Sequence, residues 1–164
     1  MLIHTLKSLI ATLSVGLMFT VADSVQAADP GIGESTITLG MSAPFSGPNG
    51  AYGKEMKEGA MAYFAQLNAA GGIHGRKVEL LALDDGYETD KTVANTRKLI
   101  NEQKIFALMA YYGSSPTTEA MKVFAEARVP LIGTISGAGS LRTPVNRYMF
   151  HLRASYADET EAIV

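Results

Sequence analysis

The sequence has no cysteine, no tryptophan and few histidines. Without cysteine there is no disulfide framework, no thiolate metal site and no cysteine nucleophile. Beyond the first 27 residues only His74 and His151 remain, and neither belongs to an H-E-x-x-H pattern. We therefore expect both to be surface or strand-end residues, and we expect no metal or cofactor.

Runs of basic residues are also missing. The formal net charge is −2, with acidic and basic residues in nearly equal number. A weakly acidic chain without a basic cluster lacks the electrostatic footprint that binds a phosphate backbone. This excludes nucleic acid as the expected partner and favours a small-molecule ligand.

The first 27 residues have the composition of a secretory signal peptide. Lys7 lies in a short polar start, and residues 9–21 are uncharged and almost wholly apolar or small. Small residues at positions 25 and 27 suit a signal peptidase. The apolar run is too short for a transmembrane helix, which needs about 20 residues. We predict export, cleavage after Ala27, a periplasmic location and a short lead-in over residues 28–35.

The remaining sequence alternates apolar β-type runs with segments of helical period. Regular crossovers between short apolar strands predict an α/β fold, a mostly parallel sheet with helices on both faces. The helical pattern that starts at Tyr156 stops at Val164, so we expect a fragment of a longer protein. Strands are predicted at 37–41, 78–83, 105–110, 129–134 and 148–152, a loop at 43–53, and helices starting near 54, 89, 115 and 156.

The loop after the third predicted strand has the composition of an anion site. Pro116 suits the first helical position and Ser115 would then be the N-cap. Ser114 and the free N–H groups of Thr117 and Thr118 would face an anion at the positive end of the helix dipole. One carboxylate or phosphate would fit there. The alternative is an ordinary capping segment with water in the site.

The loop after the fourth predicted strand could contribute to the same site, because neighbouring loops of a parallel sheet lie side by side. Ser136 and the backbone of Gly137 and Ala138 could converge on one anion. The run is not a dinucleotide fingerprint, since Arg142 stands where the third glycine is needed. It is not a G-x-S-x-G nucleophile elbow either. We therefore do not expect an enzyme.

Two further features follow strand ends. Asp84-Asp85-Gly86 resembles a cation site, but it lacks the alternating carboxylates of a calcium loop. A turn with Gly86 at positive φ is the better interpretation. Tyr52, in the first loop, could be plain packing or an apolar wall over a ligand.

Several motifs resemble one known family. Residues 40–48 read GMSAPFSGP, residues 67–75 read LNAAGGIHG, and residues 83–85 read LDD. Their order and spacing are similar to those of the periplasmic leucine/isoleucine/valine-type amino-acid-binding proteins, the solute receptors of ABC importers. The resemblance covers residues 36–164. It implies the N-terminal lobe of a two-lobe receptor, with the second lobe absent.

The resemblance also implies a ligand site. In the family, a serine after the third strand binds the ligand carboxylate, which corresponds here to Ser114 with Ser115 beside it. A second loop gives a carbonyl to the ligand ammonium group and a hydroxyl, and an acidic residue lies near that ammonium group. Some relatives join the loops near Tyr87 and Gly113 by a disulfide, which this chain cannot form. The implied site residues are Tyr52, Ser114, Ser115, Thr134, Ser136, Gly137, Ala138, Tyr156 and Asp158.

These observations predict an exported receptor, monomeric when complete, for a small amino acid or amide that carries a carboxylate. Its partner would be a membrane ABC permease. One alternative is the ligand-sensing region of a chemosensory or signalling receptor, which shares the fold. Another is a small α/β enzyme of flavodoxin or dehydrogenase type.

Overall fold

A computed structural model describes residues 29–164 of the chain. The predicted signal peptide, its cleavage site after Ala27 and the start of the lead-in lie outside the described residues. Within residues 29–164, no helix is both long enough and apolar enough to cross a membrane. The strands are β1 (Thr36–Ala43), β2 (Lys77–Asp84), β3 (Ala107–Met109), β4 (Leu131–Ile132) and β5 (Met149–Phe150), and the helices are α1 (Gly50–Ala69), α2 (Thr89–Asn101), α3 (Ser114–Glu126) and α4 (Tyr156–Glu161).

The five strands form one parallel sheet in the order β2-β1-β3-β4-β5. The predicted α/β class is confirmed, and every predicted strand and helix is present. β3, β4 and β5 are shorter than predicted. Ala110 has a φ of 53° and Gly133 a φ of 69°. These left-handed conformations end β3 and β4, because a strand needs a negative φ.

One face of the sheet is covered by α2 and α3. Apolar residues of both helices and of β3 to β5 form a single cluster there, and most of its members are fully buried. Apolar area removed from water contributes roughly 25 cal/mol per Å², so burial of this cluster is a main source of stability. The buried members of the cluster are Leu99, Ile105, Leu108, Tyr111, Ala120, Phe124, Leu131, Leu141 and Met149.

Among residues 29–164, helix α1 lies on the opposite face, over β1 and β2. Phe64 and Leu67 of α1 line an open apolar groove of about 660 Å³ together with Leu39 and Val78 of the strands. Side chains alternate between the two faces along a strand. Consequently the residues that follow buried Leu131 and Met149 point to this second face, and they are only half-covered.

α1 begins four residues earlier than the sequence predicted. Gly50 and Gly53, interpreted as loop residues, form its first turn and are buried. A Cβ atom on Gly53 would lie 1.9 Å from the carbonyl oxygen of Pro44. Glycine is needed here because the helix start passes directly against the chain that leaves β1.

α3 also starts differently from the prediction. Its N-cap is Gly113, with a φ of 92°, and Ser115 is the second helical residue. The backbone N–H of Thr117 donates to the carbonyl of Gly113 at 3.4 Å, and the Thr117 hydroxyl donates to it at 2.6 Å. The helix therefore begins two residues earlier than predicted, and Pro116 occupies the third helical position.

Candidate functional site

The candidate site lies at the carboxyl edge of the sheet, near the end of β1. In the sheet, β1 has β2 on one side and β3 on the other. Ligands of open parallel sheets bind outside this edge, at the point where the strand order reverses. A slot of about 150 Å³ opens there between the loops that follow β2, β3 and β4 and the start of α4. Its lining residues are Tyr87, Tyr112, Gly113, Ser114, Ile135, Arg153 and Tyr156.

Two predicted serines meet at this slot. The Oγ atoms of Ser114 and Ser136 are 2.7 Å apart. Ser136 is buried and accepts a hydrogen bond from the Ala138 N–H at 3.1 Å. The structure therefore joins the loops after β3 and β4 by a hydroxyl pair, as their adjacency in the sheet predicted. Ser114 lines the slot, so its hydroxyl can donate to an anion that replaces its contact with Ser136.

The free N–H groups of α3 are not those that the sequence predicted. Thr117 N–H bonds to Gly113, and Thr118 lies beyond the first four N–H groups of the helix. The N–H groups of Ser114 and Ser115 precede the first helical bond instead. The free N–H groups differ from the prediction because the N-cap is Gly113, two residues before the predicted Ser115.

The side chain of Ser115 is exposed and faces a second depression, of about 270 Å³, that borders the slot. Ser114 lines both cavities, and Ser140 lines only the second. Thr118 and Ser140 approach each other there at 3.4 Å between their hydroxyl oxygens. Ser115 can therefore offer its backbone N–H to an anion in the slot, while its hydroxyl lies outside the slot lining.

The hydroxyl of Thr134 does not face the slot. It is buried and donates to the carbonyl of Tyr111 at 3.1 Å, and the N–H of Ile135 donates to the same carbonyl at 2.9 Å. Thr134 thus fixes the loop after β4 to the end of β3. The carbonyl of Ile135 accepts a hydrogen bond from Arg153 Nη1 at 2.9 Å.

The next carbonyls of the loop are engaged as well. Gly137 accepts the N–H of Tyr156 at 2.8 Å. Nη1 of Arg142 lies 3.4 Å from the carbonyl oxygen of Ser136 and 3.5 Å from that of Ala138. The loop that was expected to offer a carbonyl to a ligand ammonium group therefore presents carbonyls that already accept hydrogen bonds from the chain itself.

Tyr156 closes one side of the slot. Its ring lies against the backbone of Gly137, where an added Cβ would be 2.6 Å from a ring carbon. Hydrogen bonding from Ser136 is the main cause that lowers the pKa of the Tyr156 phenol, with smaller contributions from Gly137, Ser114 and Arg153. These surroundings stabilise a negative oxygen.

Asp158 is used at the start of α4. One of its carboxylate oxygens accepts hydrogen bonds from the hydroxyl of Ser155 at 2.6 Å and from the Ser155 N–H at 3.0 Å, which completes a capping box. The hydroxyl and backbone N–H of Ser155 lower the pKa of this carboxyl. Asp158 is exposed and is not among the residues that line the slot.

Three tyrosine rings meet beside the slot, and two of them, Tyr87 and Tyr112, line it. Tyr52, in the first turn of α1, stacks on Tyr112 with ring centroids 5.3 Å apart and an angle of 19° between the planes. Tyr87 meets Tyr112 edge to face at 5.6 Å. Only Tyr52 was predicted as a site residue. Tyr112 lies in the loop after β3, and this position could have identified it as a site residue, because that end of the strand faces the site.

Arg153 was also missed. Its guanidinium makes two hydrogen bonds to Glu159, at 2.7 and 2.8 Å, and lies 5.1 Å from the ring centre of Tyr156. The pairing with Glu159 raises the pKa of Arg153. No sequence motif marks this residue, although it lies only three residues before Tyr156.

Asp84, the last residue of β2, and Asp85 form a turn with Gly86, as predicted. Asp84 accepts the N–H groups of Phe45 at 2.7 Å and Gly86 at 2.9 Å, and Gly86 has a φ of 56°. Asp85 is buried and accepts the hydroxyls of Ser42 and Thr92. Both carboxylates are occupied by donors of the chain, and residues 29–164 contain no cluster of three metal-ligating side chains.

A family model described as "Periplasmic binding protein" matches residues 36–164. The chain is 33% identical over 93 residues to an amino acid binding protein of Pseudomonas aeruginosa, covering 57% of this chain and 25% of that protein. It is 36% identical over 98 residues to a Leu/Ile/Val-binding protein of Rhizobium johnstonii, covering 60% and 24%. The matches thus span about a quarter of the length of these curated relatives.

Solved structures give the same picture. A possible leucine/isoleucine/valine-binding protein of Rhodopirellula baltica superposes with a TM-score of 0.75 at 30% identity, covering 85% of this chain and 36% of that one. The branched-chain amino acid transporter substrate binding protein LivJ of Streptococcus pneumoniae, in complex with isoleucine, superposes with a TM-score of 0.67 at 29% identity, covering 74% and 34%.

Proposed function

The chain belongs to the periplasmic binding protein family, and on this basis we propose that residues 36–164 form the N-terminal lobe of an exported solute-binding protein. Its ligand is a small amino acid or amide that carries a carboxylate, and its partner is a membrane ABC permease. The names of relatives in Pseudomonas aeruginosa and Rhizobium johnstonii support this class of ligand. The predicted signal peptide supports a periplasmic location.

The observation that carries the proposal is the donor set at the slot. The hydroxyls of Ser114 and Ser136 and the first free N–H groups of α3 converge at a helix N-terminus. A carboxylate that accepts these hydrogen bonds would be held by charge-assisted contacts and by the helix dipole. Closure of a second lobe over the ligand would then bury it, and the permease would recognise the closed form.

Reversible binding fits the site better than catalysis. The hydroxyls of Ser114 and Ser136 lie against each other, and within residues 29–164 neither has a histidine or a carboxylate as a hydrogen-bond partner. His151 bonds through Nε2 to the carbonyl of Leu141 and does not line the slot. These contacts favour a binding site for a carboxylate over a site that activates a nucleophile.

The test is the affinity of the exported chain for a panel of amino acids, measured by calorimetry or by NMR titration. Replacing Ser114 by alanine is expected to weaken carboxylate binding by about 1.5–3 kcal/mol, the range of a hydrogen bond to a charged group. Ser140→Ala is the matched control, since Ser140 is exposed and lines only the neighbouring depression.

An affinity that is unchanged by Ser114→Ala for every ligand of the panel would remove the anion site from the proposal. N-terminal sequencing tests export independently, because cleavage after Ala27 gives mature material that starts at Ala28. Exported protein that retains Met1 would contradict processing by a signal peptidase.

A further inference from the structure

The polar side chains that line the slot are donors of hydrogen bonds. They are the hydroxyl of Ser114, the phenols of its tyrosines and the guanidinium of Arg153, and within residues 29–164 no aspartate or glutamate lines the slot. The acidic residues at the start of α4 are engaged elsewhere. Asp158 accepts from Ser155, and both carboxylate oxygens of Glu159 accept from Arg153. A ligand cation in the slot therefore meets no unpaired carboxylate of the described residues.

Arg153 keeps unused donors. Its Nε and Nη2 atoms donate to Glu159 at 2.7 and 2.8 Å, and Nη1 donates to the carbonyl of Ile135 at 2.9 Å. A guanidinium has five N–H groups in a planar fork. These contacts within residues 29–164 use three of them, which leaves one N–H on Nη1 and one on Nη2. Because Arg153 lines the slot, both are available to an acceptor atom of a ligand.

The loop after β4 is a poor acceptor for an ammonium group. Arg153 donates to the carbonyl of Ile135, and Nη1 of Arg142 lies 3.4 and 3.5 Å from the carbonyl oxygens of Ser136 and Ala138. Each carbonyl oxygen has a second lone pair. An ammonium group that used it would stand within a few ångströms of a guanidinium, and like charges at that distance repel. The two arginines therefore select against a cation at this loop.

The pairing of Arg153 with Glu159 decides what kind of acceptor fits instead. The two charges cancel, so the free N–H groups of Arg153 belong to a neutral pair. A second carboxylate on the ligand would be repelled by Glu159. A carbonyl oxygen adds no charge and can accept both N–H groups through its two lone pairs. The arrangement favours a neutral carbonyl group over either an ammonium group or a second carboxylate.

We propose that Arg153 is a ligand-binding residue and that the ligand pairs its carboxylate with a neutral carbonyl acceptor, as in an N-acylated amino acid, in place of a free ammonium group. The carboxylate lies at Ser114, and the acyl carbonyl accepts from Nη1 and Nη2 of Arg153. This inference rests on the proposed function, because it takes the carboxylate at Ser114 as the anchor. It selects the amide over the free amino acid within the proposed class of ligand.

The experiment compares three forms of one ligand: the free L-amino acid, its N-acetyl derivative and the acid that lacks the amino group. Alanine, leucine and phenylalanine supply the side chains, so the comparison does not depend on one side chain. Affinities for the full chain are measured by NMR titration. We expect the N-acetyl form to bind about tenfold or more tightly than the acid without the amino group, the effect of a hydrogen bond to a charged group. The free amino acid should show no such gain.

A variant of Arg153 localises the effect. Arg153→Gln removes the charge and the fork, and we expect the affinity for the N-acetyl form to fall to that of the acid without the amino group. If Arg153 only supported the loop after β4, all three forms would weaken alike. Lys122→Gln is the matched control, because Lys122 is an exposed cation that pairs with Glu119 of α3 and does not line the slot.

If Arg153→Gln does not fold, as judged by circular dichroism, Arg153→Lys takes its place, since it keeps a cation beside Glu159 but loses the fork. Tighter binding of the free amino acid than of its N-acetyl form, equal affinity for all three forms, or equal weakening of all three by the variant would overturn this inference. In each of these cases the proposed function would stand. Failure of all nine ligands to bind would overturn both.

Discussion

The two faces of the sheet differ in how completely they are covered. On the face that carries α2 and α3, Leu108, Phe124 and Leu131 are fully buried. On the face that carries α1, Ile132 and Phe150 are 42% and 50% exposed. Leu131 and Ile132 are neighbours in β4, and Met149 and Phe150 are neighbours in β5, so each strand supplies a buried residue to one face and a half-exposed residue to the other. The difference therefore arises from what lies on each face and not from the strands themselves.

The covered face and the carboxyl edge of the sheet have different roles: packing on the covered face stabilises the fold, and the edge carries the candidate site. The covered face holds the continuous apolar cluster, which fixes β3 and β4 and thereby the loops that follow them. Those loops carry Ser114 and Ser136 at the carboxyl edge of the sheet. The site is thus positioned mainly by packing on one face, and changes on the other face should affect it less.

The largest expected effect is the loss of a core aromatic from the covered face. Phe124→Ala removes a fully buried ring of α3, and we expect the free energy of unfolding to fall by about 3–5 kcal/mol. Phe150→Ala, on the opposite face, removes a ring that is already half exposed, and about 1 kcal/mol is expected. Urea denaturation of both variants measures the difference. Equal losses would show that the two faces contribute alike.

Most of the fold could be predicted from sequence, because its signals are local. The apolar run of β2 and the helical period of α2 identify those elements without knowledge of their neighbours. The start of α1 could not be predicted. Gly50 and Gly53 are typical loop residues, and only the close approach of the Pro44 carbonyl explains why they are needed in a helix.

The site was predictable only where a loop motif marked it. Ser114 and Ser136 follow adjacent strands, and their contact at 2.7 Å agrees with that position. Tyr112 and Arg153 were missed because no loop motif marks them, and part of their role comes from contacts with other loops. The start of α3 was misplaced because the turn at Gly113 depends on the ring of Tyr87, which comes from another loop.

A smaller effect is expected from a buried hydroxyl on the covered face. Tyr111 is fully buried, and burial raises the pKa of its phenol. Tyr111→Phe removes a hydrogen bond of 2.9 Å to Thr96, whose hydroxyl still bonds to the Thr92 carbonyl at 2.7 Å. We expect the free energy of unfolding to fall by about 0.5–1.5 kcal/mol.

The matched control for Tyr111→Phe is Tyr63→Phe on α1, where the ring is 62% exposed and no change is expected. Thermal or urea unfolding of the two variants side by side compares one hydroxyl on each face. A loss at Tyr63 as large as that at Tyr111 would argue against the contrast between the faces.

The smallest effect is a pH dependence at the rim of the covered face. Burial, followed by the charge of Arg142, lowers the pKa of His151 below its ordinary value of 6.5. As the pH falls below 6.5, the unfolded chain binds a proton that the folded chain does not, so stability decreases until the folded pKa is passed.

We expect His151→Gln to remove this part of the acid sensitivity, measured by urea denaturation at about pH 7.5 and about pH 5. Carboxyl groups titrate in both proteins and cancel in the comparison. His74→Asn, at an exposed turn beside the α1 face, should keep the full sensitivity. If His151→Gln and the unmodified chain lose equal stability over this range, His151 does not titrate as its burial requires.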